Sequence, residues 1–459
     1  MTKPSDALPP SRREVVAGIA ALGVGCGSDP EAARQADAPP LQPAPERAPE
    51  PGPWNPPGEL DEVAFAQGVV VGDVTTDGAL ISAHTSEPAC KMVLVKGIDD
   101  QWDAAGEAAP EVVGGTATWA LENLDADAVY RVVCTSEDGS RRSADTRFRT
   151  GAIAPRKVVF GASSCMGHDN PDWPTLALAG ARDFDFFLLL GDTIYAGGSR
   201  SFESYRSQWD QALSHPSVRA LTASTGVVAT WDDHEVANNW AVGDNVTAEE
   251  VATATDAFRD AIPMREGPGG TGLWRSVKWG ELVEIIVMDS RGERSGDDIV
   301  SAEQLSWATE TVRQSTATFK LVLCSVHLTD HELLLGVIEA QDRWQGSPVQ
   351  RAELANALSE VPGVLVLTGD MHFGATQRIS PPGVPGDAVW EVACGPAGST
   401  VVPVGAIAEM MLEVPEQYDV FVDDWSYCAF EADPLTMKVS VQFIGDSGDV
   451  LAVRVLDLS

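Results

Sequence analysis

Trp231-Asp-Asp-His-Glu-Val-Ala-Asn-Asn-Trp240 crowds three acidic side chains, a histidine and two asparagines into one short stretch. Like charges that close repel, so something positive must hold them together. The stretch follows the apolar run Gly226-Val-Val-Ala, and five other apolar runs end in similar chemistry. Val158-Val-Phe-Gly-Ala leads to Cys165, and Phe186-Phe-Leu-Leu-Leu leads to Gly191-Asp192. Val283-Glu-Ile-Ile-Val leads to Asp289, Leu321-Val-Leu-Cys to His327, and Gly363-Val-Leu-Val-Leu to Gly369-Asp370-Met371-His372. A single aspartate after such a run is ordinarily a turn former or a helix cap. Six endings that supply Cys, Asp, Asp-Asp-His, Asp, His and Asp-x-His read instead as a metal site. Of seven histidines in the chain, His234, His327 and His372 sit at these endings. Carboxylates suit Ca²⁺, Mg²⁺ or Mn²⁺, whereas thiolate and imidazole suit Fe or Zn, and both kinds are present. Tyr195, three residues after Asp192, adds a phenol that as phenolate ligates a hard ion such as Fe³⁺; in isolation it would read as a core tyrosine.

The elements that must carry these side chains follow from pattern. Short continuous apolar runs bounded by polar turns read as buried strands. In open α/β sheets, ligands bind beyond the carboxyl ends of such strands. Ser301-Ala-Glu-Gln304 fits a capping box at a helix start. Met437-Lys-Val-Ser-Val-Gln-Phe and Val450-Leu-Ala-Val-Arg-Val, joined by Gly445-Asp-Ser-Gly, read as a hairpin. Between about residues 62 and 150, short alternating runs separated by turns such as Thr76-Asp-Gly suit a small antiparallel β-sandwich. The expected divisions are a signal-like segment over 1–28, a Pro/Ala-rich tether over 29–61, a β-sandwich domain over 62–152 and a catalytic domain over 153–459.

The chain of 459 residues carries 68 acidic and 31 basic side chains, a net charge of −37. That argues against a nucleic-acid-binding surface and against docking on anionic lipid. Most of the excess belongs to a solvated surface, because a few site carboxylates cannot account for it. Ser11-Arg12-Arg13-Glu14-Val15-Val16 reads as a twin-arginine motif followed by an apolar run that ends at Cys26. That run is too short to span a bilayer but suits a signal segment. Leu22-Gly-Val-Gly-Cys26 resembles a lipoprotein cleavage box, with Gly23 where a larger aliphatic is usual, so Cys26 is a candidate for lipidation. The expectation is export by the twin-arginine machinery to a periplasmic, cell-surface or extracellular location, with no transmembrane segment. Export permits disulfides, and Cys90 and Cys134 can pair; Cys26 and Cys165 are the candidates for other roles.

Five segments in order then carry a family resemblance: Ala162-Ser-Ser-Cys165, Gly191-Asp-Thr-Ile-Tyr195, Trp231 to Trp240, Met288-Asp-Ser-Arg291 and Thr368-Gly-Asp-Met-His-Phe373. With them the chain, from about Val63 on, resembles the alkaline phosphatase D-like metallophosphatases of the calcineurin-like phosphoesterase group. The resemblance implies an α/β fold, a four-layer αββα sandwich preceded by a small antiparallel β-sandwich. It implies Fe³⁺ and Ca²⁺, with Cys165, Tyr195 and His372 on iron, Asp192 bridging, and Asp370 on calcium. Asp233 and Asn238 are further oxygen ligands, with the choice between the two asparagines open. His234 falls at the catalytic histidine, Arg291 is a candidate for touching phosphate, and Asp232 and Glu235 are candidates for orienting the imidazole. His327 departs from the pattern: it is either an extra ligand, which would favour a Mn²⁺ or Zn²⁺ pair, or a core histidine bonded to a backbone carbonyl.

The expected reaction is hydrolysis of a small phosphoester, monoester or diester, by metal-bound hydroxide, with His234 serving the leaving group. The alternatives are a Mn/Zn phosphodiesterase or phospholipase, and a non-catalytic surface-binding protein. Trp231 and Trp240 are expected to pack the acidic loop down rather than touch substrate.

Overall fold

The computed structural model describes residues 50–243, 245–331, 342–411 and 414–459. The signal-like segment, Cys26 and most of the tether lie outside the described residues.

The chain begins with β1 (Glu59–Leu60), β2 (Val69–Gly72), β3 (Ala79–His84), β4 (Cys90–Ile98) and β5 (Gln101–Ala108). It continues through β6 (Val112–Val113), β7 (Thr116–Leu121), β8 (Val129–Ser136), β9 (Arg141–Arg142) and β10 (Thr146–Arg149). One sheet has the order β1-β9-β8-β4-β5, with β10 on β8; facing it lies β2-β3-β7-β6. Phe65, Val71, Ile81, Met92, Leu94, Val132 and Phe148 fill the space between them. Cys90 and Cys134 are both buried there, carry free thiols and lie two positions apart in register on one face of β4 and β8.

The six apolar runs form β11 (Val158–Ser163), β12 (Phe186–Leu190), β13 (Val227–Thr230), β15 (Val283–Val287), β16 (Phe319–Leu323) and β17 (Val364–Thr368), and β14 (Arg275–Trp279), which sequence pattern did not mark, precedes β15. After them come β18 (Gly374–Arg378), β19 (Trp390–Ala393), β20 (Tyr418–Val422), β21 (Ser426–Asp433), β22 (Lys438–Gly445) and β23 (Val450–Asp457). The last two make the expected hairpin. They organise into two sheets. One runs β14-β15-β16-β17-β19-β18-β20. The other runs β23-β22-β21-β11-β12-β13 and continues into β2-β3-β7-β6, because Gly72 pairs in parallel with Val227. A hydrogen-bonded sheet therefore crosses from the first β-rich segment into the α/β segment.

The two large sheets pack face to face through Phe160, Phe186, Leu188, Leu321, Leu323, Leu365 and their neighbours. That is why the parallel strands read as unbroken apolar runs: both of their faces are covered. Helices α1 (Pro174–Gly180), α2 (Phe202–Ser214), α3 (Pro216–Ser224) and α4 (Ala248–Ala261) cover one outer face. Helices α5 (Ala302–Gln314) and α6 (Pro348–Ser359) cover the other. The result is the expected αββα sandwich. At the start of α5, Ser301 Oγ accepts the Gln304 N–H at 3.1 Å. The reciprocal half of the expected box is missing, because Gln304 bonds the backbone of Asp289 and the Glu293 carboxylate instead. Among the described residues, no helix is long and apolar enough to cross a membrane.

Candidate metal centre

Parallel β11, β12 and β13 in one sheet, and β15, β16 and β17 in the other, deliver their following loops to one edge of the sandwich. Several loops arrive in constrained backbone. Cys165, Asp192, Asp370 and His372 have φ of 56°, 55°, 62° and 59°, in the left-handed region. For non-glycine residues this conformation costs of order 1–3 kcal/mol, and it concentrates at functional sites. The loops also cross without room to spare. A Cβ on Gly191 would sit 2.6 Å from Asp232 Cβ, and one on Gly369 would sit 2.7 Å from Ser164 Cβ.

The side chains converge in overlapping groups. Ligand atoms of Cys165, Asp192 and His372 lie within 4.8 Å of one another, as do those of Asp192, Asp233 and His234, and of Asp232, Asp233 and Asp370. Asp192 is shared by the first two groups and Asp233 by the last two. Tyr195 Oη lies 3.2 Å from Asp192 Oδ2 and makes a short hydrogen bond with Ser399 Oγ. Its ring stacks on the His234 imidazole, centroids 4.1 Å apart. His234 is half-buried, and its own backbone N–H donates to Asp192 Oδ1 at 3.3 Å.

The electrostatics fit cations. Cys165 and Asp192 are fully buried. Burial pushes the Cys165 thiol well up, and the Asp192 charge pushes it further. Burial, then Asp233 and Asp232, push the Asp192 carboxyl well up. Burial, then Asp192, raise the Tyr195 phenol. Bound cations would reverse each of these shifts. Asp233 Oδ1 and Asn239 Oδ1 are buried and accept no hydrogen bond from a described residue. Unsatisfied oxygens beside crowded carboxylates, with thiol, phenol and imidazole opposite, form a donor set for two ions of different hardness.

Three expectations change in detail. Asn238 is exposed, whereas Asn239 turns inward: it has φ 48°, and its N–H donates to Asp233 Oδ2 at 2.5 Å. Of the two asparagines, Asn239 is therefore the one that brings its oxygen to the carboxylate cluster, because the left-handed residue reverses the chain at that point. Arg291 is 0 % exposed, so it has no open path to substrate. It donates to Asp232 at 2.7 and 3.1 Å and to Asp342, with Asp370 Oδ1 at 3.8 Å. His327 bonds the Gly369 carbonyl at 3.0 Å through Nε2 and His331 at 2.7 Å through Nδ1, which is its core alternative rather than the ligand one.

Glu235 and Asp232 hold the loops. Glu235 accepts the backbone N–H groups of Asp192, Thr193 and Asp232 at 3.1, 2.6 and 2.9 Å, tying the β12 and β13 loops together. Burial raises its carboxyl to about 7 against the pull of those bonds. Burial also raises Asp232, but Arg291 outweighs it and holds that carboxyl at about 2. Asp289 is likewise a brace, taking the Trp231 indole N–H at 2.7 Å and Thr271 Oγ1 at 2.5 Å. Trp231 and Trp240 are fully buried and meet edge to face at 5.7 Å, packing the loop down as expected. Ser399, Asp342 and His331 are not marked by sequence pattern. Ser399 lies six residues past the end of β19 and His331 eight past the end of β16, too far for strand register to mark them, and Asp342 lies shortly before α6 rather than at a strand end.

Known proteins resemble this chain at several levels. A model of the PhoD-like phosphatase family matches residues 160–419. Alkaline phosphatase D of Bacillus subtilis (strain 168) is 26 % identical over 273 residues, 48 % of this chain and 47 % of that protein. The match thus spans about half the length of that relative. A solved structure of PhoD superposes with a TM-score of 0.71 at 18 % identity, covering 85 % of this chain and 88 % of the other. Purple acid phosphatase PPD1 from yellow lupin (Lupinus luteus) superposes with a TM-score of 0.62 at 14 % identity, covering 85 % of this chain and 74 % of the other. These two likenesses concern the fold.

Proposed function

The chain belongs to the PhoD-like phosphatase family, and from that premise we propose that it hydrolyses small phosphoesters at a two-cation centre on the sandwich edge. The observation that carries this is the overlap of ligand groups through Asp192 and Asp233. Cys165, Tyr195 and His372 would hold Fe³⁺ through thiolate, phenolate and imidazole, and Asp192 is shared by two of the ligand groups. Asp233, Asn239 and Asp370 form the oxygen side, suited to Ca²⁺. The Mn²⁺ or Zn²⁺ alternative draws its support from His327, whose two nitrogens are engaged elsewhere. When bound, the ions supply positive charge that holds phosphate oxygens and acidifies water.

This chain's own residues do the rest. The half-buried His234 stands at the mouth, its ring fixed by Tyr195 and its backbone by Asp192. From there the imidazole donates a proton to the leaving alkoxide. Glu235 fixes the two loops so that Asp192 and His234 keep their spacing. Arg291 offsets the charge of Asp232 and Asp370 from beneath. The twin-arginine motif and Cys26 support export, with Cys26 as an anchor point.

The test uses p-nitrophenyl phosphate and bis-p-nitrophenyl phosphate, before and after chelation, on protein exported through its own pathway, with elemental analysis alongside. The expected result is chelator-sensitive hydrolysis with iron and calcium present. His234→Ala should lower kcat by about 10²- to 10⁴-fold while metal content stays unchanged. Full hydrolysis by metal-free protein would overturn the mechanism.

A further inference from the structure

Behind the metal centre lies a second buried group of histidines that the proposed reaction does not use. His327 and His331 are both 0 % exposed. Together with Glu391 they bring ligand-type atoms within 4.8 Å of one another. The hydrogen bonds decide what this group is.

His327 Nε2 faces the Gly369 carbonyl at 3.0 Å. A carbonyl only accepts, so Nε2 carries the proton. Burial pushes both imidazoles below their ordinary range, so each is neutral and His327 Nδ1 must be a lone pair. His331 Nε2, 2.7 Å away, therefore donates to it. His331 Nδ1 is then an acceptor, so the single Tyr418 hydroxyl proton, at 3.1 Å, turns to it rather than to the Asp330 carbonyl at 3.3 Å. Glu391 and Gln377 favour the same tautomer. Glu391 accepts the backbone N–H groups of Leu328 and Thr329 at 2.7 and 3.1 Å, which marks it as a carboxylate. It therefore faces the NH₂ of Gln377, at 2.6 Å, and that same nitrogen lies 3.4 Å from His327 Nδ1. Two donors thus point at one lone pair. A cation there would have to displace both, beside the charges of Arg343 and Arg351.

The chain of bonds ends on a demanding piece of backbone. The Met371 N–H bonds the Gly369 carbonyl at 2.7 Å, and Asp370 between them has φ 62°. A three-residue turn of that hand is rare and strained, and it persists only where the surroundings over-determine it. The His327 N–H grips the same carbonyl from behind. We propose that Tyr418, His331 and His327 form a proton-ordered brace that positions the Gly369 carbonyl, and through it Asp370 and His372, for cation binding. The three are positioning residues. The inference rests only on the cation-binding part of the proposed function.

The test compares full-length wild type with His327→Leu, which removes the donor, His327→Gln, which keeps an N–H, and Tyr418→Phe, which frees the tautomers. Calorimetric titration of chelated protein with Ca²⁺ and with Mn²⁺ reads affinity and stoichiometry. Amide hydrogen exchange of the segment 369–373 reads the turn directly, even in a variant that binds no ion. The expectation for His327→Leu is affinity about 10- to 100-fold weaker with the same number of ions, and faster exchange in the turn. Tyr418→Phe should fall in the same direction, and it is mild enough to fold should the leucine variant fail. His327→Gln should restore both readouts. The loss of one bound ion in His327→Leu would make His327 a ligand and overturn the proposal. So would unchanged exchange and affinity in both His327→Leu and Tyr418→Phe. Wild type that binds ions yet hydrolyses no phosphoester would sink the proposed function and leave the brace standing.

Discussion

Asn238 and Asn239 are adjacent and identical in type, yet their oxygens differ in what they can do. The Asn239 oxygen is buried and has no hydrogen-bond partner among the described residues, while the Asn238 side chain is exposed. Asn239→Ala should therefore weaken binding at the oxygen-rich side, and Asn238→Ala should leave it within about twofold. Removing a single ligand should cost at least the 10- to 100-fold seen when a residue behind a ligand is lost. Ca²⁺ titration of the two chelated variants checks this, and the reverse order would move the donor back to Asn238. Sequence could name the pair but not choose between them. The choice depends on φ 48° at Asn239, which residue type alone does not specify. Cys165, Asp192, Asp233, Asp370 and His372 were legible because each closely follows a buried strand, where register leaves few directions open. Tyr195 was legible only through the family resemblance, since in isolation it reads as a core tyrosine. Ser399 was not, since its part in the site comes from folding two distant loops together, and a serine in Gly-Ser-Thr resembles any turn.

At the scale of elements, the loops after β12, β13, β15 and β17 are held by buried charge. Arg291 follows β15 and reaches Asp232 after β13, Asp342 in the segment before α6, and the edge of Asp370. Arg291→Met would leave Asp232 and Asp342 buried with much of their positive charge removed. Breaking such a pair from one side costs about 3–5 kcal/mol. Urea unfolding of the metal-free variant should show that loss. A raised KM at unchanged stability would return Arg291 to the substrate. The strands themselves were legible because burial on both faces erases alternation and leaves unmistakable apolar runs. The join between β2 and β13 was not. It rests on one pairing between Gly72 and Val227, and parallel pairing between residues 155 positions apart leaves no local pattern. The half-formed cap at α5 shows the same limit: Gln304 fits a capping box by spacing, but tertiary partners at Asp289 and Glu293 take its side chain.

Over the whole molecule, a net charge of −37 makes the ions matter to stability as well as to chemistry. Compact acidic chains repel themselves, and the cluster at the sandwich edge is where that repulsion is least screened by solvent. Burial lifts Glu235 from 4.5 to about 7 and raises Asp192 well above its ordinary value. A carboxyl raised in the folded state stabilises the fold while protonated. That contribution is complete below the unfolded value near 4.5 and is lost as pH rises through about 7. For Glu235 alone the shift corresponds to about 3 kcal/mol. Chelated protein should therefore melt at a lower temperature at pH 8 than at pH 5. Loaded protein should behave oppositely, because thiolate and carboxylate ligands must be deprotonated to bind, so affinity rises with pH. The gap between the two melting temperatures should widen by several degrees across that window, with about 2–4 °C for each kcal/mol in a large domain. Calorimetry at constant ionic strength separates this from general surface repulsion, which acts on both forms alike. Parallel curves for chelated and loaded protein would mean that the buried acids are not where the ions bind.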